Sequence, residues 1–347
     1  MTESPSTIVR RDRAAVDGTR RVTGLAIAVV VLLVAMLASV AVGSRMLPLP
    51  DVWRLLWSPD GSPESTIIHD LRVPRTVIAL VVGAALGLAG ALMQSLTRNP
   101  LADPGILGIN AGASLAVVSA VALTGMASIG FYLWFAFAGA AAASVLVYVL
   151  GSAGRSQATP ARLALAGVAI TAAISALVQT VILTDQEAFN EFRFWVVGSL
   201  EGRGFTIIWT VAPFIACGVV IALALGPALN ALALGDETGS ALGVDVRRTR
   251  LLAVVAVTLL CGAATAAVGP IGFIGLGVPY LARAVCGPDQ RWVMPYCLVL
   301  APALLLVADV LARIVIAPQE VQAGIVTALL GGPVFIAIVR RPRIEAL

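Results

Sequence analysis

The chain has 347 residues, of which 59% are apolar and 12% charged, with a mean hydropathy of +0.97. Soluble domains run nearer about 45–50% apolar and about 25% charged, so no water-exposed fold accommodates this composition. All 23 basic residues are Arg, against 19 acids, for a net charge of +4. The absence of Lys excludes a P-loop ATPase site and lysine Schiff-base chemistry. The single His69 and four cysteines without C-x-x-C spacing (Cys217, Cys261, Cys286, Cys297) argue against a His-based triad, a metal site or a disulfide framework.

The segment 1–22 carries Arg10, Arg11, Arg13, Arg20 and Arg21 and reads as a disordered cytoplasmic tail. The polytopic domain then runs over 23–341, with a second cytoplasmic tail at 342–347. A helix needs about 20 apolar residues to cross a hydrocarbon core of about 30 Å. Ten segments qualify in chain order, beginning with Leu25–Val42, Val77–Leu96, Ile106–Leu123, Phe131–Leu150 and Leu163–Leu183. Thr206–Leu225, Leu251–Val268, Ile271–Val285, Val293–Ile316 and Ala323–Val339 complete the set. The first is expected to be retained rather than cleaved as a signal. The seventh and eighth are divided only by Gly269 and Pro270, and one kinked segment is the alternative there.

With both termini inside, 16 Arg fall on the cytoplasmic side and seven outside. The positive-inside rule favours that orientation, and an even number of spans follows. The outer set includes Arg72 and Arg75 in Leu71-Arg72-Val73-Pro74-Arg75, and Arg313, four residues after Asp309 on the ninth span. That spacing lets Asp309 and Arg313 pair on one helix face. Gly83, Gly87 and Gly90 on the second span and Gly139 on the fourth allow close backbone approach in lipid, which implies a compact bundle.

Three segments interrupt this regularity. Arg98-Asn99-Pro100-Leu101-Ala102-Asp103-Pro104-Gly105 is a double-proline turn, because each proline disfavours helix in the residue before it. Val268-Gly269-Pro270-Ile271-Gly272-Phe273-Ile274-Gly275-Leu276-Gly277-Val278-Pro279 puts broken backbone at membrane depth, which is tolerated only where protein buries it or it lines a cavity. Gly235 to Arg250 is the longest internal polar stretch. Its early acids, apolar Ala241, Leu242 and Val244, and basic end suit a short amphipathic helix lying against a partner.

The chain resembles the FecCD-type permease subunits of ABC importers, which take up ferric siderophores, haem and vitamin B12. The resemblance spans about 45 to 341 and rests on motifs in order: Leu71–Thr76, Gly83–Gln94, Asn99–Gly108, Leu234–Glu237, Leu242–Val244, Gly269–Leu276 and Gly324–Pro333. It implies an all-α, type II importer permease with ten helices. A second, identical or related permease chain would share a central pathway. Two ATPase subunits, which would hold the ATP and Mg, would sit below, and a substrate-binding protein above. The chain itself would bind no cofactor, metal or nucleic acid and would lie in the cytoplasmic (inner) membrane.

By the same resemblance, Gly235, Asp236, Glu237, Ala241, Leu242, Gly243 and Val244 would couple to the ATPase. Arg72, Arg75 and Arg313 would dock carboxylates of the binding protein, for which the bidentate guanidinium is suited. Gln94, Asn99, Pro100, Thr159 and Gln179 are the pathway and gate candidates, with walls from the second, fifth and eighth spans. Where the family has Pro-His, this chain has Pro279-Tyr280, and Tyr carries no positive charge. A ferric siderophore is the expected cargo, with haem and cobalamin as alternatives. An ion-coupled secondary transporter is the alternative of another class, and Asp309 is the only obvious intramembrane acid for it.

Overall fold

The computed structural model describes the backbone of residues 5–340, except 44–45, 127 and 153–159. Side chains are described from residue 18, except at 44–45, 127, 153–160 and 337–339. Every regular element among the described residues is helical. A backbone crossing lipid must satisfy its own hydrogen bonds, and a helix does so within one segment.

In chain order α1 is Pro5–Ala41, α2 Leu49–Trp57 and α3 Pro63–Thr66, and a single wide turn over Ile67–Arg72 leads into α4, Val73–Thr97. A 3-10 turn at Pro104–Leu107 precedes α5, Ile109–Thr124; then come α6, Ile129–Gly151, α7, Pro160–Thr184, and α8, Gln186–Trp195. The remainder is α9, Phe205–Ala233, α10, Asp236–Ala241, α11, Val246–Val268, α12, Ile274–Cys286, α13, Gln290–Ile314, and α14, Ala323–Val339. Seven stretches are long and apolar enough to span a membrane, and three shorter apolar helices, in α5, α12 and α14, bring the set to the ten expected.

Several boundaries differ from the sequence reading. The backbone of 5–22 continues the first span as helix, where a disordered tail was expected. The second span starts at Pro63, because Pro74 falls in the first turn of α4, where its missing N–H costs nothing. The sixth runs on to Ala233 through Pro213 and Pro227. Gly269, at φ +79°, ends α11, and a Cβ there would meet the Trp195 carbonyl oxygen at 2.2 Å. The seventh and eighth spans are therefore two helices. At about 1.5 Å per residue, α12's 13 residues cover only about 20 Å, so it starts inside the bundle.

The core sits on α4 and α11, whose most apolar windows are 78% and 72% buried; for α1 and α7 the figures are 22% and 17%. The former pair form the centre and the latter the periphery. The glycine row of α4 explains how this is achieved. Gly83 and Gly87 lie against Pro302 and Ala301 of α13, and a Cβ on Gly90 would fall 1.8 Å from the Gly275 carbonyl oxygen at the start of α12. Only glycine lets those two backbones touch, the mode of packing that lipid favours.

Candidate functional site

At one end of the bundle, called outer here after the arginine distribution, three guanidinium groups converge. Asp309 on α13 has no exposed surface and joins two of them. Arg75 donates to it from Nε at 3.0 Å and Nη2 at 2.8 Å, and sends Nη1 to Glu320 at 2.6 Å. Arg313 donates to the same carboxylate through Nε at 3.0 Å and through Nη2, so the pair expected from the i,i+4 spacing forms. Arg313 also reaches the Ser39 carbonyl at 2.7 Å, and Arg72 donates to the carbonyls of Val40 and Ala41 at 2.8 Å each. These are orphan carbonyls at the negative C-terminal end of α1, where cationic donors are most favourable. Ser39 and Thr76 complete the lattice through a hydroxyl pair at 2.8 Å.

The docking arginines expected from the sequence are all part of this arrangement. Arg72, Arg75 and Arg313 are brought together, but turned inward. Arg72 is 6% and Arg313 2% exposed, and each has its donors on acceptors of this chain. None projects as a free hook in this conformation. They line a cavity of about 370 Å³ together with Glu201, Arg203 and Glu320. Arg203, Glu320 and the α1 carbonyls escaped the sequence reading. The one local signal was their placement in outer connections or at the outer end of the first span.

At the inner end, the polar stretch after α9 folds as the short helix expected. Gly235, at φ +113°, breaks the chain out of α9, and α10 occupies Asp236–Ala241. Glu237, Ala241, Leu242 and Gly243 are exposed, Val244 is half-buried, and Leu242 is 62% exposed. Asp236 turns back instead. It accepts from Arg98 Nη2 at 2.5 Å and from Arg250 Nη2 at 2.7 Å. Asp245 caps α11 by accepting from the Arg248 amide at 2.9 Å. From sequence Arg98 was read only as the first residue of the double-proline turn and Arg250 only as the basic end of the polar stretch, neither as a partner of Asp236.

The pathway candidates separate. Gln94 is fully buried on α4, where its amide donates to the Leu276 carbonyl at 3.0 Å and its oxygen accepts from Arg283. It is a strut between α4 and α12, and α4, being packed on all sides, is not an open wall. Asn99 is exposed and holds its turn by accepting from the Leu101 amide at 2.9 Å, with Pro100 half-buried beside it. Asp103 caps the 3-10 turn through the Gly105 amide at 2.8 Å, while burial pushes its carboxyl up from the usual range. Gln179 is exposed on peripheral α7, and Tyr280 is half-buried on α12. Thr159 lies outside the described residues.

Ten apolar helices, two of them buried at the centre, a charged cavity at one end and an exposed short helix tied to the core at the other define a polytopic membrane permease. The FecCD transport family model matches residues 31–341, and the chain belongs to that family. Over 311 residues it is 47% identical to the ferric enterobactin transport system permease protein FepD of Escherichia coli (strain K12), covering 89% of this chain and 92% of that one. It is 42% identical over 311 residues to the siderophore transport system permease protein YfiZ of Bacillus subtilis (strain 168), covering 90% and 93%. A solved structure described as an inward-facing conformation of a metal-chelate type ABC transporter superposes with a TM-score of 0.81 at 26% identity. That match covers 91% of this chain and 98% of the other. The chain is a multi-pass transport component of the ABC importer type.

Proposed function

We propose that this chain is the permease subunit of an ATP-driven importer that carries ferric siderophores across the cytoplasmic membrane, with both termini inside. The observation that carries the importer reading is the inner end. A short helix presents Glu237, Ala241, Leu242 and Gly243 to solvent while Asp236 fastens its base to the buried core. That is a surface for a partner that moves. The siderophore assignment draws on the relatives at 47% and 42% identity, whose names specify ferric enterobactin and siderophore transport.

In this reading two ATPase subunits hold the ATP and Mg and seat on α10, and a second permease chain completes the pathway. A binding protein delivers the chelate to the outer face. The chain has no ATPase site of its own. Arg72, Arg75 and Arg313 fix the helix ends beneath the face on which that protein docks. Gln179 on the little-buried α7 faces the second chain or the pathway, and the Asn99-Pro100 turn lies on the inner side of the route. An apolar route with few fixed charges suits a bulky chelate selected by the binding protein.

The test is purification of the tagged chain from its own membranes in mild detergent, with mass spectrometric counting of co-purifying chains. ATP-dependent uptake of ⁵⁵Fe-labelled ferric enterobactin into proteoliposomes of the recovered complex follows. The expected result is one ATPase copy per permease and uptake that requires both ATP and the binding protein. A permease recovered alone from a lipid-stabilised preparation that retains other complexes, with uptake driven by an ion gradient, overturns the proposal in favour of a secondary transporter.

A further inference from the structure

Resting on the importer reading above, we infer that Asp236 is the positioning residue through which movement of the α10 segment reaches the membrane helices. Its two carboxylate oxygens are divided between two helices. Oδ1 takes Arg98, the residue that closes α4, at 2.5 Å, and Oδ2 takes Arg250, in the first turns of α11, at 2.7 Å. Arg98 extends the joint to a third helix by donating from Nε to the Leu232 carbonyl of α9 at 3.0 Å. One carboxylate at the base of α10 thus ties together the inner ends of α4, α9 and α11.

The mechanical consequence follows from where those helices run. α4 and α11 are the most buried spans, so neither can shift without displacing its neighbours. Among the described hydrogen bonds and ion pairs, the exposed residues of α10 show no comparable tie to the bundle, and Gly239 packs on Ala231 and Leu232. A push on α10 therefore enters the core through Asp236. An isolated surface ion pair would be a poor conduit, since such pairs contribute only about 0–1 kcal/mol. Here Asp236 is 41% and Arg98 32% exposed, but the Arg250 side chain is only 6% exposed, and Arg98 uses two nitrogens of its rigid fork on two acceptors.

The backbone of Arg98 strengthens the case. It sits at φ +49°, a left-handed conformation uncommon for any residue but glycine. This closes α4 with the Asn99 amide on the Gln94 carbonyl at 3.1 Å, a Schellman-type end. It also aims the Asn99-Pro100 turn. Asp236 therefore holds both the end of α4 and the direction of the turn that leaves it.

The experiment uses the full complex with its ATPase and binding-protein partners in proteoliposomes. Mg-ATP hydrolysis and ⁵⁵Fe-labelled ferric enterobactin uptake are read in the same vesicles. Asp236→Asn is expected to lower uptake per ATP hydrolysed about tenfold, a usual size for coupling between sites. Arg98→Gln, which leaves the sequence of α10 untouched, is expected to do the same, and it decides the matter should Asp236→Asn not fold. Asp236→Glu restores part of the ratio. Uptake per ATP within about twofold of the unmodified complex in the folded variants overturns the inference. Release of the ATPase by both Asp236→Asn and Arg98→Gln also overturns it, since the pair would then serve seating alone. Absence of ATP-driven uptake in the unmodified complex instead overturns the importer reading, and the inference falls with it.

Discussion

Replacing Asp309 with Asn keeps the shape of the side chain and removes one charge from the centre of the outer lattice. Asp309 is completely buried and accepts from Nε and Nη2 of both Arg75 and Arg313. An amide offers one acceptor oxygen in place of two and points an N–H₂ toward guanidinium donors. Arg75 keeps Glu320, whereas Arg313 is left with Ser39 and the Val42 carbonyl. Breaking a buried pair by removing one partner costs about 3–5 kcal/mol, because the remaining charge stays desolvated. At about 1.4 kcal/mol per decade this is about two to four powers of ten in the folded-to-unfolded ratio. Equilibrium unfolding in mixed dodecyl maltoside–SDS micelles, followed by tryptophan fluorescence, measures it. Arg313→Gln is expected to cost a similar amount alone, and the double variant less than the sum, since residues sharing one network couple by about 0.5–3 kcal/mol. A loss for Asp309→Asn within about 0.5 kcal/mol, the range of a neutral surface change, refutes the argument that this carboxylate neutralises a buried cationic lattice.

The other expectations follow from the same geometry. Glu320→Gln removes only the second partner of Arg75, at a position whose side chain is 18% exposed. It is expected to cost about 1 kcal/mol in the same titration, clearly less than Asp309→Asn. Gly90→Ala places a methyl 1.8 Å from the Gly275 oxygen and should lose about 1–3 kcal/mol or more by forcing α4 and α12 apart. Gly130→Ala, with nothing within 4 Å of the new methyl, should be neutral or stabilising by up to about 1 kcal/mol. If the two glycines behave alike, the close-approach argument fails. Gln179→Cys in the assembled importer is expected to react with a membrane-impermeant methanethiosulfonate, and to lose that reactivity if α7 faces lipid alone.

What the sequence made legible is local. Ten apolar stretches predict ten helices, because spanning lipid demands length and apolarity within one continuous segment. The i,i+4 interval predicts the Asp309–Arg313 pair, because a helix fixes that geometry without help from the rest of the fold. The acids after Gly235 predict a short helix for the same reason. Two further helices went unread because they are too short to span. Yet Pro50 and Asp51 at the start of α2, and Asp185 accepting from the Ala188 amide at 2.7 Å before α8, are ordinary start signals.

The rest was hidden by a property of membrane helices themselves. A soluble helix reveals its inward face by polarity, but a span that is apolar all round gives no such direction. Counting arginines therefore set the level of Arg72, Arg75 and Arg313 in the membrane and left open which way they point. The structure answers through partners far along the chain. Arg75 meets Glu320 across 245 positions and Arg98 meets Asp236 across 138, distances over which no spacing rule operates. Gln94 is the same case in reverse: a polar side chain on a span suggests a lined pathway, yet the glycines one turn and two turns earlier bring α12 and α13 so close to α4 that Gln94 faces protein. Small residues, rather than polar ones, carry the rotational information here. Gly83, Gly87 and Gly90 fix which side of α4 is buried against α12 and α13, and with it the inward aim of every side chain on that stripe.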